Sequence, residues 1–362
     1  MKPDSPFSKL PSLSELLNHP TVLGVVHRVN QTTIAQRATG FWEELQANLK
    51  QQGGMPSVGE LAERLAHRLL GRAHHSTPMV NATGVLCSRL WQAPLAESAV
   101  HELLRFASDY QQPSSALMHQ VATSLAKLTG AEAAWVACSY EAAVSMASQC
   151  EGATIVSSPL IGLIDPAEFG YEHVDTIAER VNSGGDLVIF DGSGLLGGPR
   201  CGIVVGSKPC VAKLQSSELS TALAAEAMVL AALEATLDLY LDLDKVIHQI
   251  PVLQLLSAPL DNLQQRCERI APLLAECDLV AHAEATSLES IWLDAGISQC
   301  SHQSWSIVLQ PEEGQLERLG KRFEQATPQV VSSIGPTTCV LDFRAIFPRW
   351  DQQLVLALEA TK

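Results

Sequence analysis

Apolar residues along this chain recur with a helical period near its start and in short continuous runs further on. Leu13, Leu16 and Leu17 fit a helical stripe that Pro20 interrupts or restarts, and a second helical pattern covers residues 32–50, ended by Gly53-Gly54. A third runs from Glu60 to about Leu70. Leu61, Leu65 and Leu69 form one of its faces, and Arg64, Arg68 and Arg72 recur at i, i+4, i+8 on another. Ser12-x-x-Glu15 and Ser57-x-x-Glu60 read as capping boxes at helix starts. His74 to Pro78 reads as a linker.

Beyond it the pattern changes. Residues 97–108 and 115–129 read as helices, Ala133 to Ala137 as a buried strand, and Glu141 to Ala147 as a helix. Thr154-Ile155-Val156 and Asp186 to Phe190 are further strands. The second runs into the glycine-rich turn Asp191-Gly192-Ser193-Gly194-Leu195-Leu196-Gly197-Gly198-Pro199, after which Gly202 to Gly206 reads as a strand able to pair back. Short apolar strands alternating with helices predict an α/β fold with a mainly parallel sheet. Long helices are expected at 219–241 and from Leu253 to about Ala275. Strands at 290–293, 305–309 and 339–343, with helices at 313–325 and 350–361, predict a small α+β domain. The expected division is a helical domain over 1–78, an α/β large domain over 79–245 and the small domain over 246–362.

Charge sharpens this division. The chain has 362 residues and a net charge of -15. Residues 1–78 hold eight basic and six acidic side chains, a net of +2, while the remainder stands at -17. A body so acidic repels a nucleic-acid backbone, which leaves the helical start as the place for one. The arginine stripe has two readings: a solvated helix face with a Glu60–Arg64 pair, or a short stripe for phosphates. The nine cysteines are odd in number, widely spaced and lack CxxC, so free thiols in a reducing cytoplasm are expected, with neither disulfides nor a zinc site. The 219–241 run carries Glu226, Glu234 and Asp238, so it reads as a buried helix and no membrane span is expected.

The candidate chemistry is sparse. Gly192-x-Gly194 can turn backbone N–H groups toward an anion, but it lacks both the GxGxxG spacing and the Lys-Ser/Thr of a P-loop. Ser193 is not in a G-x-S-x-G elbow. The scattered histidines suggest no metal. Asp191, Ser193, Arg200 and Cys201 cluster in sequence, yet no nucleophile stands at a recognisable spacing from a base.

Several stretches together resemble one family, the bacterial selenocysteine synthases, or L-seryl-tRNA(Sec) selenium transferases. They are Leu10 to Leu17, Val80-Asn81-Ala82-Thr83-Gly84-Val85, Ala93-Pro94-Leu95, Leu128 to Ala134, Leu195-Leu196-Gly197-Gly198-Pro199 with Gly202 to Gly206, Leu230 to Leu237, and Leu255 to Leu260. Their order matches from about residue 10 to the C-terminus. The resemblance implies a pyridoxal-phosphate (PLP) enzyme of aminotransferase fold type I, here with a truncated large domain, in a homo-oligomer (dimer or larger). It also implies an N-terminal domain that contacts tRNA.

The departures fall on the family's functional positions. The loop that reads S-G-D-K before L-L-G-G-P, with its Schiff-base lysine, aligns with Asp191-Gly192-Ser193-Gly194, which puts Gly194 at the lysine. Lys208 and Lys213 match other family positions. An asparagine run near the cofactor aligns with Cys138-Ser139-Tyr140. The glycine of H-T-N-L-G-R-A-P-L is lost and its arginine moved or lost over Cys87 to Leu95. R-G-x-R falls near Gln111 to Ser115, and R-A-L-R-x-D-K becomes Thr221 to Ala227. Between Ile161 and Asp186, where the family has several strand–helix units, one short helical segment is expected. Asp191 aligns equally with the aspartate strand that holds the pyridinium nitrogen. No covalently bound PLP is therefore expected, and Cys138, Ser139, Tyr140, Asp191 and Ser193 are vestigial cofactor positions. The leading expectation is a catalytically inactive relative acting by binding. Its partner would be an intact paralogue in a mixed oligomer, or tRNA through Arg64, Arg68 and Arg72. The alternatives are an active selenium transferase converting seryl-tRNA(Sec) to selenocysteinyl-tRNA(Sec), and a PLP-free enzyme retooled in the vacated cleft.

Overall fold

A computed structural model describes residues 11–27, 29–49, 58–70, 79–108, 110, 115–294 and 299–358. The chain divides into two compact units. One comprises Met1–Val80, Arg322–Val330 and Gln353–Lys362; the other comprises Asn81–Lys321 and Val331–Gln352. Residues on both sides of position 245 belong to the second unit.

In the first unit, helices Leu13–Leu17, Pro20–Val26, Gln31–Leu49 and Val58–Leu69 enclose Leu16, Val22, Phe41, Leu61, Leu65 and Leu69. The Ser12–Glu15 capping box forms, with Glu15 N–H donating to Ser12 Oγ at 3.2 Å and Ser12 N–H to Glu15 Oε2 at 2.6 Å. Arg37 Nη1 closes the last helix by donating to Leu69 O at 2.6 Å. The Ser57–Glu60 box and the His74–Pro78 linker lie outside the described residues.

The second unit holds ten strands or parts of them: β1 (Met79–Ala82), β2 (Cys87–Ser88), β3 (Ala133–Ala137), β4 (Ile155–Ser157), β5 (Leu187–Asp191), β6 (Gly202–Gly206), β7 (Val280–Asp294), β8 (Gln299–Pro311), β9 (Gln329–Ile334) and β10 (Cys339–Asp342). The central sheet has the order β3-β6-β5-β4. β3, β4 and β5 share a direction. β6 runs against them, so its pairings with β3 and β5 are antiparallel and the sheet is mixed. Alternate side chains point to opposite faces. Val136, Val188, Phe190, Ile203 and Val205 enter one core, with Val121, Leu125, Leu230, Leu233 and Leu237 of the helices Ser115–Thr129 and Ala227–Leu239. Trp135, Leu187, Ile189 and Val204 enter the other, with Ala143, Met146, Val211 and Leu214 of Tyr140–Ala147 and Lys208–Gln215. Burial on both faces is why these strands read as unbroken apolar runs.

Two expected helices are broken, each for a physical reason. The 219–241 run divides into Ser220–Leu223 and Ala227–Leu239. Between them Ala224 bridges Ala137, Ala225 N–H donates to Val136 O at 3.0 Å, and Leu223 O accepts from Cys138 N–H at 2.8 Å. The stretch thus covers the open edge of β3, whose backbone groups would otherwise be unpaired. The run after Leu253 divides at Pro259, which ends Pro251–Leu256 and caps Leu260–Leu274. The strands expected at 290–293 and 305–309 lie in the second halves of β7 and β8, which form a longer antiparallel hairpin. A second sheet places β9, β10, β8, β7 and β2 side by side. The first half of β7, from Ala281 to Ser287, is small and polar with an exposed face, so it carries no apolar alternation to read. All nine cysteines are free. No helix among the described residues is long and apolar enough to cross a membrane.

A buried ion pair ties Leu260–Leu274 to Asp351, the residue that begins the helix Asp351–Leu358. Arg266 Nη2 reaches Asp351 Oδ1 at 2.6 Å and Ile346 O at 2.9 Å, and Arg269 Nη2 takes Asp351 Oδ2 at 2.7 Å. Arg266→Ala leaves the Asp351 charge buried with only the exposed Arg269 as partner. It is expected to cost about 3–5 kcal/mol of unfolding free energy in a urea titration; a loss below about 1 kcal/mol would show that the pair does not hold the helix.

Candidate functional site

The ends of the central strands meet at one edge of the sheet. β3 leaves into Cys138-Ser139-Tyr140, β4 into Ser158-Pro159-Leu160 and β5 into Gly192-Ser193-Gly194, while β6 begins there at Gly202. The carboxyl ends of parallel strands are where α/β sheets bind ligands. All five vestigial positions expected from sequence come together at this edge.

Each is engaged within the fold. Asp191, 7% exposed, accepts through Oδ1 from both Ser193 N–H and Ser193 Oγ at 2.8 Å. Burial raises its carboxyl above the ordinary carboxylate value, against the opposing pull of the Ser193 hydrogen bonds and the Arg200 charge. Ser139 Oγ caps the helix Tyr140–Ala147 by accepting from Ala142 N–H at 3.1 Å. The Tyr140 hydroxyl is hydrogen-bonded to Ser157 Oγ. Cys138 is exposed, and its backbone joins the β3 edge. Buried Cys201 has its thiol pushed up by desolvation and then by the Asp191 charge, so it is no nucleophile.

Sequence reasoning placed Arg200 beside Asp191 but missed Arg89 and the contacts that both arginines make at this edge. Arg89 pairs with Glu141 and lies 5.2 Å from the centre of the Tyr140 ring, and Arg200 Nη2 donates to Arg89 O at 2.8 Å. The partners are 52 and 111 residues apart in the chain, so no local spacing announces them.

The loop itself is closed. Residues 191–199 are all buried, and exposure returns at Arg200. Gly194 lies against the backbone of Leu160: a Cβ there would stand 2.8 Å from Leu160 Cα and 3.0 Å from its carbonyl carbon and oxygen. Lys208 lies across the sheet. Its backbone N–H donates to Glu132 Oε2 at 2.9 Å beside the start of β3, about 13 Å along the strand from Gly202 at ~3.3 Å per residue. An open cavity of about 610 Å³ elsewhere in this unit is lined by residues including His101, Leu239, His248, Phe347 and Arg349, and by none of the strand-end positions. In the helical unit, Arg64 and Arg68 are half-buried, one turn apart on Val58–Leu69. Arg72 and Gln111 to Ser114 lie outside the described residues.

One further polar group occupies the connection between β4 and β5. His173 Nδ1 meets Asp165 Oδ2 at 2.7 Å, its Nε2 meets Asp175 Oδ1 at 3.2 Å, and Glu179 stands 3.9 Å away. Among the described residues, His173, Asp175 and Glu179 are the group whose ligand atoms lie within metal-binding reach of one another. Nothing in the residue spacing announces it beyond a histidine among acids. Asp175 is also paired with Arg180 at 2.7 Å, and Glu179 completes a capping box with Thr176, so the group works as an ion-pair network holding this connection.

Comparison with known proteins gives this geometry a family context. A family model described as L-seryl-tRNA selenium transferase matches residues 155–347, a narrower span than the motifs cover. Curated proteins named L-seryl-tRNA(Sec) selenium transferase, from Yersinia pestis (strain Pestoides F) and Yersinia pseudotuberculosis serotype O:1b (strain IP 31758), are each 31% identical over 248 residues. Those residues are 66% of this chain and 52% of theirs. The chain thus spans about half the length of the curated relatives it matches. The solved structure of D-glucosaminate-6-phosphate ammonia-lyase superposes with a TM-score of 0.51 at 14% identity, covering 82% of this chain and 97% of that one. The fold is the α/β architecture of aminotransferase fold type I.

The His173 network generates a pH prediction. The Asp165 hydrogen bond, followed by its charge, raises the imidazole above its ordinary value of 6.5. A raised folded value means that the stabilisation is complete below about pH 6.5 and is lost as pH rises through the folded value. His173→Gln should therefore melt below wild type at about pH 6 and converge with it by about pH 9. An equal gap at both pH values in thermal melts would show that the imidazole charge contributes nothing.

Proposed function

The chain belongs to the L-seryl-tRNA selenium transferase family, and we propose that it is a non-catalytic member that acts by binding. One observation carries this reading: the loop aligned with the Schiff-base lysine offers Gly194 at that position, and Lys208 stands at the far edge of the sheet. A carbonyl cofactor anchored through an amine needs that amine, and glycine supplies none. The residues present do not fit a lysine-held PLP, so no reaction step through it is derived. The groups that would otherwise remain for substrate or cofactor are spent internally, Asp191 on Ser193, Ser139 on a helix cap and Tyr140 on Ser157.

The binding we assign is to a lysine-bearing member of the same family in a mixed oligomer. A homo-oligomer built on the same surfaces is the other form the fold-type resemblance implies. What supports this is the kept apolar architecture: both faces of β3, β5 and β6 are packed, so the domain retains a folding reason although its catalytic positions have changed. A second reading has one observation of its own. The helical start carries +2 ahead of a body at -17, so a tRNA backbone would meet this chain there and not on the body. The proposed place in the cell is the cytoplasm, where nine free thiols persist.

Purified protein incubated with PLP is expected to show no protein-bound visible absorbance and no selenium transfer to seryl-tRNA(Sec). Bound cofactor together with turnover would reject the non-catalytic reading in favour of an active transferase. For tRNA, retention should fall steeply as salt rises from about 50 to 200 mM. Retention that does not change over that range would remove the electrostatic tRNA contact.

A further inference from the structure

The family's lysine position is not only vacant of an amine; it has been taken over by another part of the chain. The segment after β4, Ser158 to Gly162, runs along the strand-end loop like a strap. Ser158 N–H donates to Ile189 O at 2.9 Å, Pro159 O accepts from Asp191 N–H at 2.9 Å, and Leu160 O accepts from Leu195 N–H at 3.2 Å. Gly162 O then accepts from Ile177 N–H at 2.9 Å, which fixes the far end of the strap to the next helix. Leu160 and Ile161 are each 3% exposed and belong to the main core.

Contact between strap and loop is closest at two glycines. A Cβ on Gly194 would lie 2.8–3.0 Å from three Leu160 main-chain atoms, and a Cβ on Gly162 would lie 2.7 Å from Leu195 Cβ. Real Cβ atoms do not approach backbone this closely. The obstruction at Gly194 is main chain held by hydrogen bonds on both sides of it, so no rotamer change clears it. A lysine at 194 would have to place five side-chain heavy atoms where the described structure has Leu160 and a fully buried loop.

From this we infer that the Ser158–Gly162 strap has closed the cofactor cleft, so that returning the lysine to position 194 restores neither cofactor binding nor chemistry. This rests on the alignment of Gly194 used above and goes one step beyond it: the amine and the space for it are lost separately. The shortened connection between β4 and β5 is what brings the strap into the cleft. In the family resemblance several strand–helix units stand there; in this chain only the short helices Pro166–Phe169 and Ile177–Asn182 remain between strap and β5.

The test is a pair of substitutions in the full chain. Gly194→Lys, incubated with PLP and reduced with borohydride, is expected to give no adduct by intact-protein mass and no visible absorbance. Gly194→Ala asks about the space alone, and is expected to lower the melting temperature by at least about 3 °C, since one methyl already meets backbone. Should Gly194→Lys be too unstable to purify, the Gly194→Ala result still decides. A Gly194→Ala protein melting with wild type, or a Gly194→Lys protein carrying PLP at the introduced side chain, would overturn the closed cleft. Neither result bears on whether the natural protein is inactive, which the wild-type cofactor assay tests by itself.

Discussion

Everything at the ligand edge of this fold depends on one close approach, that of the Gly194 backbone to the backbone of Leu160. Two chain segments that would flank a cleft are packed to van der Waals contact and joined by hydrogen bonds between main-chain groups. Once they touch, the neighbouring choices follow. Residues 191–199 leave solvent, Asp191 must satisfy its carboxylate inside the loop, and Ser193 is the group at hand. A buried, internally satisfied carboxylate is what remains when an acid at a strand end has no external partner to meet. Its raised value marks a cost of burial that the Ser193 hydrogen bonds and the Arg200 charge only partly offset.

The sheet behind that edge explains why the fold survives such a change. β3, β5 and β6 feed two cores through alternate side chains, and both cores are closed by helices. Folding stability here comes from apolar burial, to which the polar strand ends add little. The edge can therefore lose lysine, asparagine and arginine positions without unfolding the domain. It also gains compensating contacts, the Arg89–Glu141 pair and the Arg200 bond to Arg89 O. These tie the loop before Ala93-Pro94-Leu95 to the strand ends where substrate groups would otherwise lie.

Much of this was legible in the chain itself, and the limits have physical causes. β3 and β6 could be read because strands buried on both faces are continuous apolar runs with glycine or polar boundaries. The strand-end positions Cys138, Ser139, Tyr140, Asp191 and Ser193 could be named from the chain because a loop's residue types can be compared one by one. The breaks at Ala224 and Pro259, the first half of β7 and the reversed direction of β6 could not. Ala224 is extended only because β3 needs an edge partner, and nothing in an alanine-rich run states that need. The strap was also hidden. Ser158 to Gly162 has no unusual composition, and its role exists only when Gly194 lies beside it 34 residues later in sequence.

The charge division takes on a structural meaning in this light. A catalytic site for an anionic substrate gathers arginines and lysines at strand ends, where their charge stabilises phosphates. Here the basic groups described at the edge are engaged at its surface, Arg89 with Glu141 and Arg200 with a carbonyl, and the loop beside them is shut. Under the reading proposed above, a body at -17 is not the place for a polyanion. It can still hold another folded chain, because apolar and shape-based contact does not require the strand-end charges at all. Under the non-catalytic reading proposed above, protein–protein association is the function that needs none of the strand-end groups.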